Sequence, residues 1–394
     1  MLQKIAIIVE RADIARGGAE RSMFEVAEAL SALGLHVDLL AAKGQTTDKN
    51  VHILCRDIPG KRVRFSLFAR ALRQHLARTD YDIVHSVLPF DFADLYQPRG
   101  GTCAELILRN VATYRTPAVR LYKRLTAFTN YRRAQLLRAE RRLCRGSHGP
   151  VIAALSQYVA QQLRTHYATD PHRIVLTLNG VKTDRPVDVA QADRLREQVL
   201  SALSAAPAAP PLLCLFVAQD FRRKGLDPLI RALQAVGAAR TERPVALLVV
   251  GADRTARYRR LAQRLGVEKQ IVFLGPVKEV QNILAVSDVA VLPTFCDAAS
   301  RSILEALAAG KPVITTRFNG ATDHFADGRH GRVIETPEDI DGLAAALRYF
   351  SGTANLAHAA RAIHEDGLAA RISIQRVAQD LIRVYNSILD KRGG

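Results

Sequence analysis

The chain has 394 residues, 48% of them hydrophobic and 24% charged, with a formal net charge of +18. That length and apolar content suit two or more domains with sizeable cores, and no apolar run approaches the ~18 residues of a membrane span. Five scattered cysteines, Cys55, Cys103, Cys144, Cys214 and Cys296, include no C-x-x-C pair, which argues against a disulfide framework or zinc site and for a reducing cytoplasm.

Apolar strand, loop and amphipathic helix alternate along the chain, predicting α/β architecture with parallel sheets. The first apolar run, over 4–9, lacks a basic leader, a long apolar core and a small-residue cleavage site, so it reads as a strand and not as a signal. Arg16-Gly17-Gly18-Ala19-Glu20-Arg21 follows it and opens a helix over 19–33, stopped by Gly34. Paired glycines allow close backbone approach to a ligand and a helix N-terminus favours an anion; a tight strand-to-helix turn accounts for the same residues. Further strands are expected over 37–41 and 82–85. The latter ends at His85 and drops into a loop that holds Asp91 and Asp94, the three being candidates to face an interdomain cleft.

Between Arg109 and Arg145 stand eleven basic residues, opposed only by Glu140. Tyr114, Leu121, Tyr122, Phe128 and Tyr131 are interleaved with them. Cations for headgroups and aromatics for the interface suit an anionic leaflet; phosphates on an acceptor, or solvation of an arginine-rich helix pair, are alternative readings. After an apolar strand over 174–178 and an Asn179-Gly180 turn, the domain junction is placed near 183–186. The Ala- and Pro-rich stretch 201–211 reads as a surface loop close to it.

The second half repeats the alternation, with strands over 212–217, 245–250, 271–274, 289–292 and 313–315. Helices are expected over 226–236, 255–265, 280–286, 302–309 and 340–350, and a final one over 371–389. Arg223 and Lys224 follow the first of these strands, at a sheet edge where open α/β folds bind ligands, and adjacent cations there can neutralise a diphosphate. Gly275, Pro276 and Val277 end another strand, where backbone groups can meet a base edge. Asp297-Ala-Ala-Ser-Arg-Ser-Ile-Leu-Glu305 is the most informative stretch. At about 3.6 residues per turn, Asp297 precedes a helix and Glu305 lies on its second turn, with an anion-friendly N-terminus between them. A capping Asp and a surface Glu would give the same spacing. Glu305, however, sits among apolar neighbours and needs partners if buried, which ribose hydroxyls supply.

Together Gly17-Gly18-Ala19-Glu20-Arg21, Asp82-Ile-Val-His85, Arg223-Lys224-Gly225, and Asp297-x7-Glu305 with Gly310-Lys-Pro-Val-Ile-Thr-Thr make the chain resemble family-4 retaining glycosyltransferases of the GT-B fold over nearly its whole length. Within that family, the stretch 220–225, the stretch 297–305 and the basic segment after Glu105 are similar to lipopolysaccharide inner-core glucosyltransferases. The resemblance implies two Rossmann-like parallel-sheet domains facing across a deep cleft: 1–185 for the acceptor, 186–370 for the nucleotide sugar, and 371–394 returning to the first domain. It implies that Glu305 holds the ribose, that Asp297 and the backbone of Ala298, Ala299 and Ser300 hold the transferred sugar, and that Arg301 belongs to the same donor-binding set. Arg223 and Lys224 grip the diphosphate with Gly18 and Gly17 approaching it, and Gly275, Pro276 and Val277 meet the base.

No metal and no other cofactor are implied. The donor is expected to be UDP-glucose and the acceptor a lipid-linked or phosphorylated oligosaccharide. The enzyme is expected on the inner face of the cytoplasmic membrane, held there peripherally by 109–145. Three positions depart from the family pattern. Asp297 stands where Glu is usual, Ser300 where Gly is frequent, and the loop Gln97-Pro-Arg99-Gly-Gly101 lacks the histidine or acid of relatives. Asp94 is the nearby substitute for a base. A nucleic-acid-binding protein is the competing reading of the +18 charge, but no RNP, KH, zinc-finger or helix-turn-helix pattern is present, and no nucleic-acid partner is expected. Other GT-B chemistry and a catalytically silent relative are further alternatives.

Overall fold

A computed structural model describes residues 2–13, 18–60, 62–126, 129–203, 210–237, 241–277 and 279–393. Arg16, Gly17, Phe128 and most of the Ala/Pro-rich stretch lie outside the described residues. The chain forms two compact units, Met1–Val181 with Ile374–Gly394, and Lys182–Ser373. The sequence reading put these junctions at 185/186 and 370/371.

The first unit is a seven-stranded parallel sheet. Its strands are β1 (Lys4–Arg11), β2 (His36–Lys43), β3 (Val51–Ile53), β4 (Ile83–Ser86), β5 (Leu95–Tyr96), β6 (Val151–Ala154) and β7 (Ile174–Leu176), in the order β3-β2-β1-β4-β5-β6-β7. β1 is central, and Ile5 pairs with both Val37 and Ile83. Being covered on both faces, it reads as an unbroken apolar run. Ile5, Ile7 and Val9 pack on Met23, Val26 and Leu30 of helix Gly18–Ala32 and on Val377, Leu381 and Tyr385 of helix Ile374–Gly393. Ala6 and Ile8 face Phe68, Leu72 and Phe90. Strands β3, β5 and β6, of two to four residues, were not among those expected from the sequence.

The basic segment forms helices Cys103–Ala112, Pro117–Leu125 and Tyr131–Cys144. Thr102 caps the first through the Glu105 N–H, and Asn130 caps the last through the Arg133 N–H. Glu140 does not offset the arginines, as its position in the run suggests. It is fully buried and accepts hydrogen bonds from the hydroxyls of Tyr96 (2.7 Å) and Tyr167 and from the Cys103 N–H (2.6 Å). Burial pushes its carboxyl above the usual range, against the pull of those donors. Glu105, also buried, takes Arg109 Nε, the Tyr158 hydroxyl and His166 Nε2. Two inward acids thus fix the helices while Arg115, Arg124, Arg138, Arg141, Arg142 and Arg145 stay exposed.

The second unit is a six-stranded parallel sheet of β8 (Leu212–Val217), β9 (Val245–Val250), β10 (Ile271–Gly275), β11 (Val289–Leu292), β12 (Val313–Thr316) and β13 (Gly331–Ile334), ordered β10-β9-β8-β11-β12-β13. The order reverses between β8 and β11, so the loops leaving their C-terminal ends diverge there and open a crevice. Among the described residues no helix is long and apolar enough to cross a membrane.

Glu140→Ala would strand two tyrosine hydroxyls and an amide in the interior. We expect a loss of about 2–4 kcal/mol, read as a lower urea midpoint for the first unit.

Candidate functional site

The site expected after β8 and β11 is assembled within the second unit. β8 and β11 are hydrogen-bonded neighbours, so the loop carrying Arg223 and Lys224 meets the loop carrying Asp297. The Phe295 N–H donates to the Arg223 carbonyl (2.9 Å), as does the Thr294 hydroxyl (3.3 Å). Gly225, at φ +84°, makes this possible: a Cβ there would stand 2.0 Å from the Pro293 carbonyl oxygen. On the far side, the Asp297 N–H donates to Phe318 O (2.9 Å) and its carbonyl accepts from the Gly320 N–H (3.0 Å).

Lys224 Nζ is ion-paired with Asp297 Oδ2, both side chains being mostly shielded at 15% and 18% exposure. Arg223 lies 3.6 Å from the Asp220 carboxylate, beyond hydrogen-bond reach, and its Nε is buried without a hydrogen bond among the described residues. Helix Arg301–Ala308 starts at Ser300, and Glu305 on its second turn pairs with Arg301 at 3.0 Å. Each of the two family acids therefore has a cation of its own.

One backbone donor expected to meet the sugar is already engaged: the Ser300 N–H donates to Asn319 Oδ1 (3.0 Å). Asn319 is the residue the sequence reading missed. It is fully buried, its Oδ1 also accepts from the Ala321 N–H, and its Nδ2 donates to Thr315 Oγ1. The signal for it was the Asn319-Gly320 pair just past β12, which reads as an ordinary turn. Gly275 ends β10 at φ +72°, with its carbonyl bound to the Gly251 N–H (2.9 Å), Pro276 exposed and Val277 half-buried. Ala298 and Ala299 are buried.

In the first unit the expectations fare differently. Gly18 begins its helix. Asp94 does not stand ready as a base: one oxygen accepts from the Val84 N–H (2.7 Å) and the other pairs with Arg392 of the C-terminal helix. Its role is to tie that helix to β4. His85 is fully buried with Nδ1 against the Tyr385 hydroxyl (2.8 Å), and burial, reinforced by the charge of Arg99, pushes its pKa down to about 3. It is a neutral packing residue at physiological pH. Asp91 is exposed and pairs with Arg73.

Arg99 occupies the loop 97–101, where the family resemblance led us to look for a base. Its guanidinium donates to Gln97 Oε1 (3.1 Å), Asn179 Oδ1 (2.9 Å) and the Ser22 hydroxyl.

On the basic segment, Leu121, Tyr122, Leu125 and Tyr131 are 59–71% exposed. Arg132 is engaged by Glu10 and Lys123 lies over the Tyr114 and Tyr122 rings. Apolar and cationic groups thus share one short stretch of surface.

Two doubly wound parallel units, the second with cations and acids gathered at its switch point, are the architecture of the GT-B glycosyltransferases. Residues 16–185 match the family described as Glycosyltransferase Family 4, and residues 211–351 match Glycosyl transferases group 1. The chain belongs to this family of glycosyltransferases. It is 33% identical over 183 residues to the lipopolysaccharide glucosyltransferase WaaG of Escherichia coli (strain K12), covering 46% of this chain and 48% of that one. The chain therefore spans about half the length of this curated relative in the match. Among solved structures, WaaG superposes with a TM-score of 0.75 at 21% identity, covering 97% of this chain and 99% of that one. Anabaena HepE in complex with UDP and glucose superposes with 0.71 at 17% identity, covering 98% and 100%.

Asn319→Ala removes the acceptor that seats Ser300 and Ala321. We expect helix Arg301–Ala308 to lose its fixed start, with about 2–3 kcal/mol lost on unfolding and nucleotide-sugar affinity roughly tenfold weaker by calorimetry.

Proposed function

We propose that the protein is a retaining, metal-independent hexosyltransferase that moves glucose from UDP-glucose to a lipid-linked oligosaccharide of the lipopolysaccharide-core type. The observation that carries this reading is the ion pair of Lys224 with Asp297, just ahead of the helix that bears Glu305, with Arg223 next to Lys224 on the same loop. Breaking the C1–O bond of the donor builds negative charge on the diphosphate. Lys224, Arg223 and the helix N-terminus stabilise that charge as it develops, a task a metal ion performs elsewhere. Asp297 orients the hexose and Glu305 the ribose.

With Asp94 tied to Val84 and Arg392, the leaving phosphate itself is the group that takes the acceptor's proton. Departure and attack on the same face preserve configuration. The similarity to WaaG supports the acceptor class, and the UDP and glucose of the HepE complex support the donor.

The acceptor is presented at an anionic membrane surface on its cytoplasmic side. The exposed arginines of helix Tyr131–Cys144 and the exposed Leu121, Tyr122, Leu125 and Tyr131 fit such a surface. The protein is then peripheral, held by charge and shallow apolar insertion.

A panel of UDP-, GDP-, ADP- and dTDP-sugars tests the donor. UDP-glucose raises the melting temperature equally with and without Mg²⁺, Glu305→Ala abolishes the rise and Lys224→Ala reduces it; a shift that needs Mg²⁺, or none at all, refutes the reading. For the surface, changing Arg138, Arg141, Arg142 and Arg145 to Gln is expected to abolish flotation with phosphatidylglycerol vesicles while leaving the nucleotide-sugar shift intact. Undiminished flotation of that variant would remove the membrane assignment.

A further inference from the structure

Lys224 and Asp297 are assigned above to different parts of one donor, the diphosphate and the hexose, yet here they neutralise each other. Resting on that assignment, we propose that this ion pair makes hexose recognition conditional on a diphosphate, so that it selects nucleoside diphosphate sugars over free sugars and over nucleotides with a single phosphate.

The main chain on both sides is pinned. Asp297 is held through Phe318 and Gly320, the Lys224 N–H donates to Asp220 O (3.0 Å), and Gly225 is pressed on Pro293. The part left to move is the lysine stem, four carbons carrying a point charge. A neutral hexose hydroxyl is a poor competitor for a carboxylate held by an ammonium at this low exposure, where Coulomb attraction is weakly screened. A diphosphate competes directly for the ammonium, because it offers more charge and several oxygens. Once Lys224 turns to the diphosphate, both Asp297 oxygens become available to adjacent sugar hydroxyls. The two subsites are then thermodynamically linked: whatever draws Lys224 away strengthens hexose binding, and the pair itself weakens diphosphate binding.

The linkage has a signature that does not depend on which sugar is used. If Asp297 only touched the hexose, its removal would leave UDP affinity unchanged. If it holds Lys224 back, Asp297→Asn releases the lysine and UDP binds about tenfold more tightly by calorimetry, within the usual range of coupling between sites. UMP affinity stays at the wild-type value, which also reports an intact fold.

A double-mutant cycle separates this from a general loss of negative field. In the Lys224→Ala background, Asp297→Asn is expected to give no tightening of UDP. Unchanged or weaker UDP binding by the single Asp297→Asn variant overturns the proposal. So does a tightening that persists without Lys224. If no nucleoside diphosphate binds the wild-type chain, the transferase reading fails instead, and the same cycle is read with inorganic pyrophosphate, where the same two outcomes decide.

Discussion

The site depends on the close approach of two loops at the point where the strand order of the second unit reverses. A methyl group on Gly225 would lie 2.0 Å from the Pro293 carbonyl oxygen, so any other residue there forces the loops apart. Only because that approach is allowed can the Phe295 N–H reach the Arg223 carbonyl, and only then does Lys224 stand beside Asp297. The lysine and the acid are 73 positions apart in sequence. What joins them is the neighbouring of β8 and β11, and what sets their spacing is a missing side chain.

The electrostatics follow from this geometry. In this structure the two acids are held by cations supplied from the protein, Asp297 by Lys224 and Glu305 by Arg301. Carboxylates so poorly exposed would otherwise be costly to keep ionised. The same pairing spares the site a large field in its resting state. For a diphosphate bound as proposed above, the cations are already in place and little solvent must be reorganised.

Much of the fold was legible because β1, β8, β9 and β11 are buried runs with a helix after each, and that alternation survives in a single sequence. The Asp297-to-Glu305 spacing was equally legible, since helix geometry converts eight positions into a direction. Partner choice was not. Nothing in the run 109–145 tells that Glu140 points inward to Tyr96 and Tyr167 rather than outward to arginines, because both tyrosines are remote in sequence. Asp94 looked like a base for the same reason: its partner Arg392 lies 298 residues away. Asn319 was overlooked because an Asn-Gly pair satisfies turn chemistry whether or not it also fastens a helix.

Glu140 carries one more implication. It fixes the orientation of its helix from beneath, through hydroxyls and an amide that belong to the core. The outer face of that helix, with Arg138, Arg141, Arg142 and Arg145, therefore takes no part in deciding where the helix sits. Substitutions there leave the contacts of Glu140 with Tyr96, Tyr167 and Cys103 in place. If that face meets the anionic surface proposed above, its charge is tuned to that partner while the core keeps the helix in place.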